Sequence, residues 1–378
     1  MKRSVALFSI ILLSTALTLF LPRIHREPTI PAAEHVLSQK EGLTPDESDS
    51  QTISEEIIIE QKPEVLEIEI SQTPVVSRET AVQPQVSTPA PSSHYPFDPR
   101  SFEDINTAAR SAVVNIYCST SGGSPVTATG VIIDARGIIL TNAHVAQYML
   151  LDSDPRINVD CSIRTGSPAV AAWEAEVMYL PPVWVSEHAK QLTEAQATGT
   201  GEHDWALLKI TQNVDSSPFA SHLPFLLPET RQEVIDRGQD ILLASYPAGF
   251  IGGLSVTQNL SAVSTITTIK NLFTFDDGTI DLISLGGVII AQSGSSGGAV
   301  VNQWNRLIAI IVTTSTGDST AERDLRAVTL YHVDEDLRKF AGMSLVSLLG
   351  SDIQIFANDF KINIAPGLTK QLIDVLDN

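Results

Sequence analysis

Ala291-Gln292-Ser293-Gly294-Ser295-Ser296-Gly297-Gly298-Ala299-Val300 is led in by the apolar run Gly287-Val288-Ile289-Ile290 and runs on into Val301. A serine hydroxyl at neutral pH is a weak nucleophile and needs a base beside it. Glycines on both sides let the backbone take tight, positive-φ conformations. They also leave amide N–H groups free to converge on one point, which is what holding an oxyanion requires. Taken alone, the segment reads equally well as a Gly/Ser loop between two strands. Two further stretches weigh against that reading: Leu140-Thr141-Asn142-Ala143-His144-Val145 and His203-Asp204-Trp205-Ala206-Leu207-Leu208-Lys209-Ile210. His144, Asp204 and Ser296 come in the order His, Asp, Ser, each at the edge of an apolar, strand-like run. That is one of the chain orders in which a base, its orienting acid and a serine nucleophile occur.

The segments T-N-A-H-V, D-W-A-L-L-K-I and G-S-S-G-G resemble the three signature segments of trypsin-like serine proteases, closest in style to the HtrA/Deg branch. The resemblance covers roughly residues 101–342. It implies an all-β, chymotrypsin-like fold of two six-stranded antiparallel barrels with a short C-terminal helix. It also implies acyl transfer on protein or peptide substrates: His144 as general base, Asp204 as its orienting acid, Ser296 as nucleophile. The backbone N–H groups of the Gly294-Ser295-Ser296 turn, those of Gly294 and Ser296 foremost, are the expected oxyanion hole. By the family pattern the specificity pocket has its base near Ile290 and its wall at Val312, Thr313 and Thr314. With no acid at that base, small or medium aliphatic P1 residues are expected. Digestive members carry an Asp just before the nucleophile that pairs with a new N-terminus; Ser295 stands there, so activation by N-terminal cleavage is not expected.

No cofactor is expected. The His203-Asp204 dipeptide alone supplies too few ligands for a metal. The formula Gly294-x-Ser296-x-Gly298 also fits an α/β-hydrolase, but that fold needs its acid and histidine after the serine and a helix directly behind it. A catalytically silent protease fold used for binding is the runner-up, and a tethered adhesion or signalling module a third reading.

A net charge of −20 over 378 residues makes nucleic acid a poor partner, since phosphate binding needs a basic face. Lys2 and Arg3 precede an uncharged, Leu/Ile-rich run from Ser4 to Pro22. About 18 residues reach the length of a membrane span and exceed the usual signal-peptide core. We read residues 1–26 as an uncleaved signal-anchor, a cleaved signal being the alternative, with the remainder membrane-anchored and extracytoplasmic, or secreted if cleaved. In residues 27–98, fourteen acidic residues stand against three basic ones among many Pro, Ser and Thr. Such a segment buries too little apolar surface to offset the entropy of ordering, so a disordered linker is expected. Within it, residues 64–70 alternate like a strand.

The protease-like unit is expected over 99–342, with barrels at about 101–215 and 235–342. Ser101 opens a helix with Ile105, Ala108, Ala109 and Ala112 on one face. Strands are expected at 113–118, 126–133, 137–142, 157–163, 172–180 and 204–210, then at 240–246, 254–263, 264–274, 280–290, 299–302, 306–314 and 325–331. A helix over 333–341 follows, with Asp334-Glu335-Asp336 in its first turn, and then a tail, 343–378, with an amphipathic stretch from Leu368 to Leu376. That tail is too short for the PDZ domain many HtrA-type proteases carry. Cys118 and Cys161 are the two cysteines of the chain. In an exported protein they read as one disulfide or as two buried thiols. The family topology, in which the first and fourth barrel strands are neighbours, favours the disulfide. The reading leaves room for a homo-oligomer.

Overall fold

The computed structural model describes residues 94–377, apart from 121–123, 195–198, 220–221, 250–252, 276–277 and 315–323. The expected signal-anchor over 1–26, the alternating segment 64–70 and all but the last five residues of the linker expected over 27–98 lie outside the described residues; in those five, order begins earlier than expected, because Tyr95 is buried and stacks on Trp304. Among the described residues, no helix is long and apolar enough to cross a membrane.

Helix α1 (Phe102–Ala112) starts where the Ser101 side chain accepts from the Asp104 N–H, and it buries Ile105, Ala109 and Ala112. Six strands then close a barrel: β1 (Val113–Thr120), β2 (Val126–Asp134), β3 (Ile138–Thr141), β4 (Val159–Thr165), β5 (Val170–Tyr179) and β6 (Ala206–Asn213), in the order β1-β2-β3-β6-β5-β4. Apolar residues that share one face of these strands fill its interior, with Val114, Ile116, Ile139, Ile163 and Leu208 all buried. The β2–β3 hairpin turns at Asp134-Ala135-Arg136-Gly137, where Gly137 takes a φ of 83°. Between β3 and β4 lies α2 (Ala143–Asp152). Between β5 and β6 lie α3 (Pro182–His188) and a 3-10 turn, Ala189–Thr193.

The second half begins with the short strand β7 (Leu227–Pro228) and continues through β8 (Asp240–Ser245), helix α4 (Gly253–Gln258), β9 (Val263–Thr268), β10 (Asn271–Phe273), β11 (Leu282–Gly286), β12 (Ala299–Asn302), β13 (Arg306–Thr314) and β14 (Leu325–Thr329). The sheet order is β10-β11-β14-β13-β12-β8-β9, with β7 against β13. This is a curled sheet rather than a second hydrogen-bonded closure. Its two ends are one bent ribbon: the Ile269 N–H bonds the Gln239 carbonyl on one side, and the Lys270 N–H bonds the Ser284 carbonyl on the other.

Three expectations change. Residues 254–263 were expected as a strand, and α4 occupies their first half. The Arg164 guanidinium, buried and reaching from β4, donates to the Val256 and Thr257 carbonyls at 3.2 and 2.6 Å, satisfying the end of that helix. The helix α5 (Leu330–Ala341) starts three residues early because the Thr329 hydroxyl caps the His332 N–H. Asp334 and Asp336 therefore sit past its first turn. The tail over 343–376 is folded: α6 (Leu345–Leu349), α7 (Ile353–Asp359), a π-turn and α8 (Ala365–Leu376) bury Leu345, Leu348, Ile353, Phe360, Leu368 and Leu372 in the same core as the first barrel.

Cys118 and Cys161 face each other in the β1–β4 register and are joined by a disulfide. Beside it, burial pushes the Asp152 carboxyl up to about 6, the nearby Asp160 charge adds to this, and the Cys161 N–H only partly opposes it. A carboxyl whose folded pKa exceeds its unfolded value favours the fold below about pH 4, and that contribution is lost as pH rises through about 6. Asp152→Asn is therefore expected to stabilise the fold by about 1–2 kcal/mol at pH 8, allowing for partial solvent screening, and by nothing measurable at pH 4. Urea unfolding of both forms at the two pH values checks it.

Candidate active site

The pairing of β3 with β6 sets Thr141 opposite Ala206. His144 and Asp204 lie just beyond those ends, so the register brings them together. The His144 N–H donates to Asp204 Oδ1 at 2.9 Å, and ring Nδ1 lies 2.8 Å from Asp204 Oδ2. The Asn142 side-chain amide donates to the Asp204 carbonyl at 2.9 Å, fixing the backbone as well. One carboxylate thus holds both the backbone and the ring of one histidine. Its side chain is 13% exposed, and the His144 side chain is 31% exposed. Burial lowers the imidazole pKa, but the Asp204 charge and hydrogen bond more than offset this, and the net shift is upward.

Ser296 comes from the turn between β11 and β12. It lines, together with His144, one cleft of about 330 Å³ whose other walls include Val126, Thr127, Gln147, Tyr148, Leu192 and Gly294. The Ser295 N–H is bonded to the Gln292 carbonyl at 3.2 Å and the Gly297 N–H to the Ile311 carbonyl at 2.8 Å. Among the described residues no backbone bond engages the N–H groups of Gly294 and Ser296. Of the three amides expected to form the oxyanion hole, Ser295's is thus committed elsewhere. The Ser295 hydroxyl is buried and accepts from Ser245 Oγ at 3.1 Å, so the position before the nucleophile is filled by a neutral pair.

The turn is seated by two glycines. Gly294 has a φ of 91° and Gly297 a φ of 80°. A Cβ on Gly297 would stand 1.9 Å from the Thr129 carbonyl oxygen, so only glycine allows β2 to approach this closely. Thr129, in β2, was not singled out from the sequence. Its N–H donates to the Ser296 carbonyl at 2.8 Å, its Oγ1 donates to the Gly294 carbonyl at 2.7 Å, and Oγ1 accepts from the Tyr246 N–H at 2.9 Å. A fully buried threonine inside the apolar run Ala128-Thr129-Gly130-Val131 was the available signal. Thr129→Val keeps the shape and strands one carbonyl and one N–H. The expected cost is about 2–3 kcal/mol of stability with a 10- to 100-fold loss of kcat/KM. Thermal denaturation and kinetics on the purified variant check it.

Two of the four expected specificity residues lie in the core. Ile290 is fully buried in the second-half core, and Val312 is buried against Gly201; neither is among the residues lining the cleft. Thr313 and Thr314 end β13, and their side chains lie outside the described set. His188 stacks on Trp184 in α3. His203 turns away from its neighbour's chemistry: its Nδ1 lies 2.6 Å from Asp336 Oδ2 on α5. Of the dipeptide that offered too few metal ligands, His203 without Asp204 is joined there by His332 and Asp336.

Residues 128–310 match the family model of the trypsin-like peptidase domain. No curated protein matches the chain in sequence. Among solved structures, a serine endoprotease from Yersinia pestis is similar at 22% identity and a TM-score of 0.41, over 65% of this chain and 68% of that one. The HtrA-type protease AlgW with a tripeptide is similar at 20% identity and a TM-score of 0.39, over 64% and 65%. The chain thus spans about two thirds of the length of these structures.

Proposed function

We propose that the trypsin-like peptidase domain this chain carries is a working serine endopeptidase, in which His144 takes the Ser296 proton as the hydroxyl attacks a peptide carbonyl. The observation that carries this reading is the double grip of Asp204 on His144, with Ser296 in the same cleft. In the reaction, Asp204 holds the ring so that Nε2 faces the nucleophile and stabilises the imidazolium that forms. The Gly294 and Ser296 N–H groups receive the developing oxyanion. Each such donor is typically worth about 3–4 kcal/mol of transition-state stabilisation. His144 then returns the proton to the leaving amine, and water releases the acyl group by the same route.

The test is labelling of the full chain with a fluorophosphonate probe, followed by mapping of the labelled peptide. The expected adduct is on Ser296. A folded chain that takes no label would favour the silent, binding-only use of the fold. The reading includes the P1 preference for small or medium aliphatic residues that the family pattern implies, and a P1 peptide library that prefers arginine would refute it. The apolar run from Ser4 to Pro22 supports tethering to a membrane with the folded unit outside the cytoplasm. Release of the full chain from membranes by alkaline carbonate would overturn the tether.

A further inference from the structure

We propose that His203, His332 and Asp336 form a binding site for one divalent transition-metal ion, best matched by zinc. One ligand atom from each residue lies within 4.8 Å of the other two. The three come from separate places: His203 from the turn before β6, His332 and Asp336 from successive turns of α5. All are buried, with 7%, 8% and 4% exposure.

The observation that points to a cation is at His332. Its Nδ1 lies 3.2 Å from Asp281 Oδ1, so a neutral ring carries its proton on Nδ1 and its lone pair on Nε2. That Nε2 is buried without a hydrogen-bond partner, and it sits 3.7 Å from Asp336 Oδ2. Two electron-rich atoms therefore face each other at a distance too long for a hydrogen bond. A cation between them resolves that arrangement, and buried polar atoms left unmatched are costly.

The surroundings match what metal ligands need. A ligating imidazole usually donates its second N–H to a carboxylate, and ligating carboxylates are themselves hydrogen-bonded. Here Asp281 takes that role for His332, and Glu202 Oε1 lies 3.6 Å from His203 Nε2. Trp205 Nε1 donates to Asp336 Oδ2 at 3.0 Å. Zinc with ligands at about 2.0–2.2 Å in tetrahedral geometry sets ligand atoms roughly 3.3–3.5 Å apart. The 3.7 Å pair is already close to this. The 2.6 Å pair, His203 Nδ1 to Asp336 Oδ2, must open by less than about 1 Å. Two imidazoles and one carboxylate favour zinc or cobalt over magnesium or calcium. A bound ion would pin the turn carrying Asp204 to α5, since His203 directly precedes Asp204.

The test uses the untagged full chain, stripped with chelator and titrated with Zn²⁺ by calorimetry and with Co²⁺ by visible absorption. We expect one ion per chain, a cobalt d–d band of low coordination number, and a Tm raised by Zn²⁺ but not by Mg²⁺. His332→Gln and His203→Asn (asparagine tolerates the positive φ of 58° at 203) are each expected to weaken Zn²⁺ at least tenfold. His188→Gln is expected to leave it unchanged. Circular dichroism in metal-free buffer shows whether the variants fold. Should they not, the Zn²⁺ absorption-edge spectrum of the wild type, fitted for two imidazoles, decides. No stoichiometric binding to the folded chain, or wild-type affinity in both ligand variants, overturns the proposal and leaves a proton-only His–Asp network.

Discussion

Ser296→Ala is expected to lower kcat by about 10⁶-fold, whereas Ser295→Ala, one residue earlier, lowers it less than tenfold. The two hydroxyls differ in what they touch. Ser296 borders the cleft beside His144. Ser295 is buried and accepts from Ser245 Oγ, so its removal costs one neutral hydrogen bond, about 1 kcal/mol of stability, and no chemistry. Removing Ser296 leaves the base with nothing to activate, and what survives is binding plus the oxyanion amides, about 10³–10⁴ over water. Turnover of a denatured protein substrate by both variants, with circular dichroism as the folding control, reads the contrast. Similar losses in the two, or more than about 1% activity in Ser296→Ala, would remove Ser296 from the chemistry.

What the sequence showed of the site is what local chemistry writes into it. The three signature segments each place one polar side chain at the end of an apolar strand, and strand ends are legible from alternation and from turn residues. The β3–β6 register then does the rest, because Thr141 opposite Ala206 leaves little room for His144 and Asp204 to be anywhere but together. Thr129 was hidden for the opposite reason. Its importance lies in bonds to residues more than a hundred positions away, and the apolar run around it signals burial without naming those partners. Likewise Leu254, Val256 and Leu260 alternate well enough for a strand, yet Arg164 supplies the carbonyl partner that lets a helix form there. The three early residues of α5 were lost to a cap, Thr329, that follows an unbroken strand pattern. The tail was underestimated because its helices are short and individually weak; their burial against the first barrel makes them hold. The curled second sheet was read as a closed barrel because a strand count cannot reveal which edges meet.

The second large effect is expected from Asp204→Asn, with a loss of about 10⁴ in kcat and a displaced acid limb. The carboxylate accepts twice, from the His144 N–H through Oδ1 and from ring Nδ1 through Oδ2. An amide has one acceptor oxygen. If that oxygen keeps the backbone N–H, the NH₂ group faces Nδ1, which must then lose its proton. The ring is left as the tautomer protonated at Nε2, the atom that has to receive the serine proton. The pH profile separates this from mere loosening. In the wild type, burial depresses the His144 pKa and Asp204 more than restores it, so the net shift is upward. The base works only when unprotonated, so kcat/KM should rise through a midpoint above about 6.5. Without the carboxylate charge only burial acts on the ring, and the midpoint should fall below about 6.5. A variant that loses activity but keeps the wild-type midpoint would mean that Asp204 merely packs, and that some other group sets the charge of His144.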